Sequence, residues 1–278
     1  MTARRKLRDH MRQLSEIRDI MDAMKNLAFL ETHKLGNLLE NQQVLIGDLE
    51  RIAGEFLKFF PYPALSEKQA DCWIIFGAER GFCGDFNDVL LDRLETELSQ
   101  ASGPHLLVAV GTKLQMKLAD DSRAATFIEG ADVAEEITPV LNQLIVQLGL
   151  LQGGQLPSSV NVLYQDAATE RVEMRRLMPP LAGAKQPESQ SGYPPILNLD
   201  PDVFFSALLD RYLFVALQDI AYTSLMAENQ KRIQHMTGAV HHLDETAAEL
   251  MRRYHMRRQE DITEEIEVIL LNATREFE

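Results

Sequence analysis

Proline is missing from residues 2–58, and after Pro201 it does not occur again. Over that second stretch glycine occurs once, as Gly238. Proline removes a backbone donor and clashes with the preceding turn, and glycine costs about 1 kcal/mol in a helix interior, so little in either stretch would stop a helix. At about 1.5 Å per residue the two stretches predict rods of roughly 85 and 115 Å. A helix of about 20 residues already spans a small domain, so neither rod belongs to the core of one globular body. Part of the second must meet something else.

Cysteine is almost absent. Cys72 and Cys83 are too few for a disulfide framework and lack Cys-x-x-Cys spacing, which points to a reducing, cytoplasmic setting. Cys83 stands in a polar loop, where a buried or idle thiol is the expectation. No run of 18 or more apolar residues exists, so no helix is expected to span a membrane, and any membrane association comes through a partner. Basic residues are outnumbered: 28 Lys and Arg face 42 Asp and Glu, a net charge of -14. That excludes a general nucleic-acid binder, which needs a basic face. The one basic stretch, Arg4, Arg5, Lys6, Arg8, Arg12 and Arg18, is broken by Asp9 and Glu16 and continues as an amphipathic helix. It reads as a solvated helical face rather than a transit peptide.

Catalytic signatures are lacking too. There is no His-Glu-x-x-His and no Gly-x-Ser-x-Gly, and His241-His242 are neighbours that point apart on a helix. Asp120-Asp121 and Asp200 with Asp202 sit where aspartate caps or turns the chain. No enzyme, cofactor or metal is expected.

What is present is periodicity. One row of the first stretch is Leu7, Leu14, Met21, Ala28, Leu35, Gln42, Leu49, Phe56, and a second, three residues on, is His10, Ile17, Met24, Glu31, Leu38, Leu45, Ile52, Phe59. Most of these positions are apolar over eight heptads, a coiled-coil pattern. Pro61-Tyr62-Pro63 ends it. Cys72 to Phe76 then reads as a buried strand, Asp85 as the cap of a helix with Phe86, Val89, Leu90 and Leu94 inward, Leu106 to Val110 as a second strand, and Thr112 to about Leu118 as a short helix. A third strand near Ala124 to Ile128, a helix from about Val133 to Leu148, the Gly153-Gly154 turn and a fourth strand from Val160 to Tyr164 follow. Glu170 to Leu177 alternates as an antiparallel edge strand would. Pro179 to Pro201, with six prolines, is a linker.

The expected fold is α/β: a long antiparallel coiled coil of the N- and C-terminal helices plus a small inserted, Rossmann-like α/β domain. Its parts are residues 1–60, the N-terminal coiled-coil helix; 70–178, the globular domain; 179–200, the linker; and 201–278, the C-terminal helix. Counting both helices outward from the insert sets residue 2 beside residue 258 or so. The seam Met226, Asn229, Ile233, Met236, Val240, Leu243, Ala247, Leu250, Tyr254 keeps heptad steps and then stutters through Arg258 to Ile262 and Ile266. Residues from about 259 onward form a tip without a partner in the chain. Burying Ile262, Ile266, Ile269, Leu270 and Phe277 would contribute on the order of 10 kcal/mol, so a hydrophobic collar from another protein is expected.

The loop Gly77 to Gly84 follows a strand and precedes a helix, as nucleotide-binding turns do, but its glycines match neither Gly-x-Gly-x-x-Gly nor a phosphate-binding loop with its lysine. A structural turn is the expectation. Arg252, Arg253, Arg257 and Arg258 precede Glu260, Asp261, Glu264, Glu265 and Glu267, and both intrahelical pairing and contact with a collar protein fit them.

The stretch Glu79-Arg80-Gly81-Phe82-Cys83-Gly84, the basic first helix, the insert, and Arg258-Gln259-x-x-Ile262-Thr263 together resemble the γ subunit of F-type ATP synthases over essentially the whole chain. The resemblance implies a non-catalytic rotor whose coiled coil stands in a hexamer of α and β subunits and whose foot binds ε and the membrane ring of c subunits. It implies a peripheral place on the cytoplasmic face of the bacterial inner membrane. Family positions that hydrogen-bond to β match Arg258, Gln259 and Thr263, with Met24 and Arg232 also in place along the shaft. Ile262, Ile266 and Ile269 would face the sleeve.

Departures are clear. Lys25-Asn26-Leu27-Ala28-Phe29-Leu30-Glu31 is much less basic than the family's continuation, the second loop glycine is Asp85, a lysine usual after Met236 is absent, and Glu260-Asp261 replace small residues near acidic lever loops of β. No regulatory cysteine pair is present. The chain thus looks like a divergent member, of the kind found in an alternate, sodium-type F-type ATPase, and neither coupling ion nor direction carries over. The rival reading, a coiled-coil scaffold or adaptor with an α/β domain, predicts a self-associating dimer and no need for the stutter.

Overall fold

In the computed structural model the described residues are 3–60, 71–101, 105–121, 123–151, 159–178 and 193–275. The elements are α1 (Ala3–Phe59), β1 (Asp71–Phe76), α2 (Phe86–Gln100), β2 (His105–Val110), α3 (Thr112–Leu118), β3 (Ala124–Ile128), α4 (Ala134–Leu151), β4 (Ser159–Asp166), β5 (Arg171–Met178) and α5 (Pro201–Arg275). The Pro61-Tyr62-Pro63 stop, the Gly153-Gly154 turn, most of the linker and Phe277 lie outside the described residues.

The chain divides into two compact units, residues 28–232 and residues 1–27 with 233–278. The division cuts both long helices rather than separating helices from sheet.

The first unit holds a five-stranded sheet in the order β3-β2-β1-β4-β5. The first four strands are parallel, and β5 runs antiparallel along β4 at the edge. A parallel sheet is covered on both faces, which is why β1 reads as one apolar run. Its side chains still alternate. Cys72, Ile74 and Phe76 join α1, α4 and α5 in one core, while Trp73 and Ile75 join α2 and α3 in the other. Asp85 precedes α2 without a side-chain capping bond; its main-chain carbonyl accepts from Asp88 and Val89 instead. Val89 is exposed, and the inward face of α2 is Phe86, Asn87, Leu90, Leu94 and Leu98.

Here α1 and α5 pack antiparallel. Phe56 stacks on Phe205 and meets Phe204 at 5.2 Å, and fourteen residues back along α1 the Gln42 amide donates to Val215 O and Gln218 Oε1. The first predicted row is the seam: Ala28, Leu35, Gln42, Leu49 and Phe56 are all buried. The second row is corrected. It lies four residues on, at Thr32, Leu39, Ile46, Ala53 and Phe60, and Ile46 and Ala53 are buried while Leu45 is exposed. The predicted row is the greasier one and keeps heptad spacing equally well, with Leu38, Ile52 and Phe59 half-buried, but the other flank of the first row, with Ile46 and Ala53, is the more deeply buried one.

The second unit repeats this pattern in its own helices. Met236, Val240 and Leu250 are buried with Ile233, Leu243, Ala247 and Tyr254 half-buried beside them, so the predicted α5 seam is the buried stripe. On α1, Leu7, Met11, Leu14, Arg18, Met21 and Lys25 are half-buried, and His10 and Ile17 are exposed. Arg18 Nε donates to Asp244 at 2.7 Å, close to the register that sets residue 2 beside residue 258.

Candidate functional site

Two groups of residues carry the chemistry: the loop after β1, held by the part of α5 within residues 28–232, and the C-terminal end of α5.

The β1 loop leaves the carboxyl edge of the sheet, where open α/β sheets take their ligands. Gly77 and Gly111 let two such loops touch. A Cβ on Gly77 would stand 2.4 Å from that of Leu114, and Gly111, at φ +117, would put one 2.7 Å from Gly77 O. Next along, Glu79 accepts hydrogen bonds from Thr112 N, Thr112 Oγ1 and Gly130 N, tying three loops together. The Glu79 and Arg80 amides, which would face an anionic ligand in a nucleotide-binding loop, donate instead to Glu228 of α5 at 3.1 and 3.3 Å. The neighbouring cavity, lined by Phe76, Gly77, Ile137 and Glu228 among others, measures about 30 Å³. That is room for water and far too little for a nucleotide.

Glu228 is buried, and burial pushes its carboxyl above the ordinary value; the Arg232 guanidinium beside it and the two amides pull the other way. Arg232 also donates through Nη1 to Asn229 Oδ1 at 2.7 Å and through Nε to Gly81 O at 3.3 Å. Phe82 projects from the loop, exposed and in the left-handed region at φ 65. Cys83 is buried; its thiol donates to Arg80 O at 3.5 Å and burial pushes it up to about 11, as burial pushes Cys72 up to about 12.

Arg232, expected along the shaft, is 7% exposed in this chain, and its guanidinium donates to Gly81 O, Asn229 and Glu228. It is the family resemblance that sets it along the shaft. What sequence reasoning missed is Glu228, one turn earlier in a helix segment otherwise dominated by Leu, Ile, Ala and Tyr, the signal that a charge is buried there with its partner. Glu31 was missed likewise. Set down as a seam position, it accepts from Ala134 N at 2.6 Å and so caps the N-terminus of α4.

At the end of α5 the expected residues are exposed. Ile262, Ile266 and Ile269 are 45%, 51% and 65% accessible, on one helical face. Arg258, Gln259 and Thr263 are exposed beside them, and Thr263 Oγ1 donates to Gln259 O at 2.9 Å. Arg253 pairs with Glu249 and Arg257 with Glu260, so part of the basic cluster is satisfied within the helix. Met24 is half-buried on α1.

A family model described as ATP synthase matches residues 3–273. The chain belongs to the ATP synthase gamma family. It is 22% identical over 277 residues to the ATP synthase gamma chain of Clostridium botulinum (strain Langeland), with 96% of each chain covered. To that of Moorella thermoacetica it is 23% identical over 284 residues, covering 98% of this chain and 99% of the other. Among solved structures it is similar to a chain of the rotor of the Euglena gracilis mitochondrial ATP synthase, at 15% identity and a TM-score of 0.58, with 93% of this chain and 98% of that one covered. That likeness shows a shared fold. Family membership and coverage agree in making this a γ-type chain along its whole length. Among the described residues no helix is long and apolar enough to cross a membrane.

Proposed function

We propose that the chain is the central rotor shaft of a rotary F-type ATP synthase, standing in an α/β hexamer and carried on ε and the membrane ring of c subunits. It turns as the ring moves ions and the β subunits make or hydrolyse ATP, so each catalytic site meets a different face in turn. The chain itself performs no chemistry; ATP is handled by β. It sits peripherally at the cytoplasmic face of the bacterial membrane. Residues 70–178 serve as the foot, 179–200 link it to the C-terminal helix, and about 259–278 form the end held in the sleeve.

The observation that carries this reading is the accessible stripe Ile262, Ile266, Ile269 at the end of α5, an apolar row on a helix end whose other positions, from Arg257 to Glu267, are mostly charged or polar. A bearing needs apolar area without strong directional bonds, because each hydrogen bond to the sleeve must break during a turn. Arg258, Gln259 and Thr263 supply the few polar contacts to β, and Met24 lies along the shaft.

Co-expression with the α and β subunits of the same source tests the reading. A complex should form whose ATPase activity falls when residues 259–278 are deleted. A chain that forms only dimers of itself, with no ATPase-active complex, would overturn it.

A further inference from the structure

Three side chains of α5 reach the main chain of the segment from β1 into its loop. Ser224 Oγ donates to Phe76 O at 3.3 Å, Glu228 accepts from Glu79 N and Arg80 N, and Arg232 Nε donates to Gly81 O. They recur at i, i+4 and i+8, one face of the helix. Asn229, buried between them, accepts from Arg232 and donates to Leu225 O. Elsewhere the buried α5 face inside residues 28–232 is mostly apolar, with Phe205, Leu209, Val215, Ala216, Ile220 and Leu225. Its other polar ties are side chain to side chain or to α5 itself: Arg175 of β5 donates to Asp219 at 3.1 Å, and Gln42 of α1 donates to Gln218 and Val215 O.

These two kinds of contact resist different motions. Apolar burial is non-directional, so rows of Leu and Ala tolerate a helix that rolls or slides slightly. Hydrogen bonds weaken steeply with misalignment, and an unmade bond to a buried carboxylate leaves a charge uncompensated. A roll of α5 against the loop would break four bonds to backbone together. Stability is a poor reason for this arrangement, since buried ion pairs replaced by apolar residues of similar volume are often neutral or more stable. Position in the chain suggests a better one. Arg232 is the last residue of the sheet-containing unit, and α5 continues beyond it.

We propose that Glu228 and Arg232 are a rotational key: positioning residues that lock α5 to the β1 loop so that torque passes between helix and sheet body without slip. The proposal rests on the rotor reading and assigns the lock to the cluster that grips loop backbone, rather than to the hydrophobic core or to the Arg175–Asp219 pair at the sheet edge.

The test uses the full membrane complex carrying Glu228→Met with Arg232→Met, reconstituted in vesicles. Expected are ATP hydrolysis near that of the unaltered complex, a several-fold drop in ions moved per ATP, and faster hydrogen exchange at the amides of Glu79 and Arg80. Where the double variant does not assemble, Glu228→Gln, which keeps the shape and one acceptor oxygen, should show the same split at smaller size. Unchanged ions per ATP with accelerated exchange at those amides would overturn the key. So would hydrolysis and transport falling together in proportion to the folded complex recovered. If the unaltered complex itself shows no coupling, the rotor reading fails; coupling in the unaltered complex with insensitive variants sinks the key alone.

Discussion

Arg232→Met alone leaves the Glu228 carboxylate buried among two backbone amides without its countercharge, and removing one partner of a buried pair costs about 3–5 kcal/mol. The cost depends on pH in a defined sense. Burial already raises the folded-state pKa of Glu228, and loss of Arg232 raises it further. Below the ordinary value of 4.5 the carboxyl is protonated in both folded and unfolded chains and the penalty is absent; it grows as pH rises through the displaced pKa. Denaturant midpoints at about pH 5 and about pH 8 should therefore differ more for the variant than for the parent, with the variant weaker at the higher pH. The thiols give a second residue-scale expectation. Cys72 and Cys83 are buried, with thiols pushed up to about 12 and about 11, so neither should react with a disulfide reagent at neutral pH until the chain is unfolded. The buried thiol at Cys83 was legible in sequence; the Glu228 network was not, because its partners are backbone atoms of a loop about 150 residues away, which no periodicity reports.

Elements were the most readable level. Proline and glycine bounded the long helices and most strands, alternation marked β5, and the apolar run of β1 announced a sheet covered on both faces. The choice of seam on α1 went astray where long polar side chains occupy it. Arg18, Lys25 and Thr32 are half-buried there, Arg18 bonding Asp244, so composition pointed to Ile17 and Leu45, which the helix turns outward. Ile46→Ala should accordingly cost about 2–5 kcal/mol in thermal or denaturant unfolding. Leu45→Ala, one residue earlier and in the row that sequence favours, should cost under about 1 kcal/mol. Equal effects would return the seam to the predicted row. Asp85 shows the same limit at a helix start: a favoured capping residue stood in the right place, yet its side chain lies 3.8 Å from Lys231 rather than on the helix amides.

For the whole molecule the decisive sequence fact was subtraction, a C-terminal helix of 75 residues against an N-terminal one of 57. In the excess Ile262, Ile266 and Ile269 stay accessible, and beside them Glu260 and Asp261 add negative charge to the end of the shaft. Substituting Glu260→Ala with Asp261→Ser removes two negative charges from the end of the shaft and should raise the stall torque of the assembled motor. An unchanged torque would show that the acidic pair does not loosen the grip of the sleeve. On the rotor reading the sheet body turns while the α/β hexamer stays fixed. The direct measurement is to anchor the hexamer to a surface, attach a probe through a cysteine introduced on the exposed face of α4, and add ATP. The buried native thiols leave that cysteine as the reactive one. Stepwise rotation in one sense, lost when residues 259–278 are removed, is the predicted result. ATP hydrolysis by the same anchored complex with a stationary probe would contradict it.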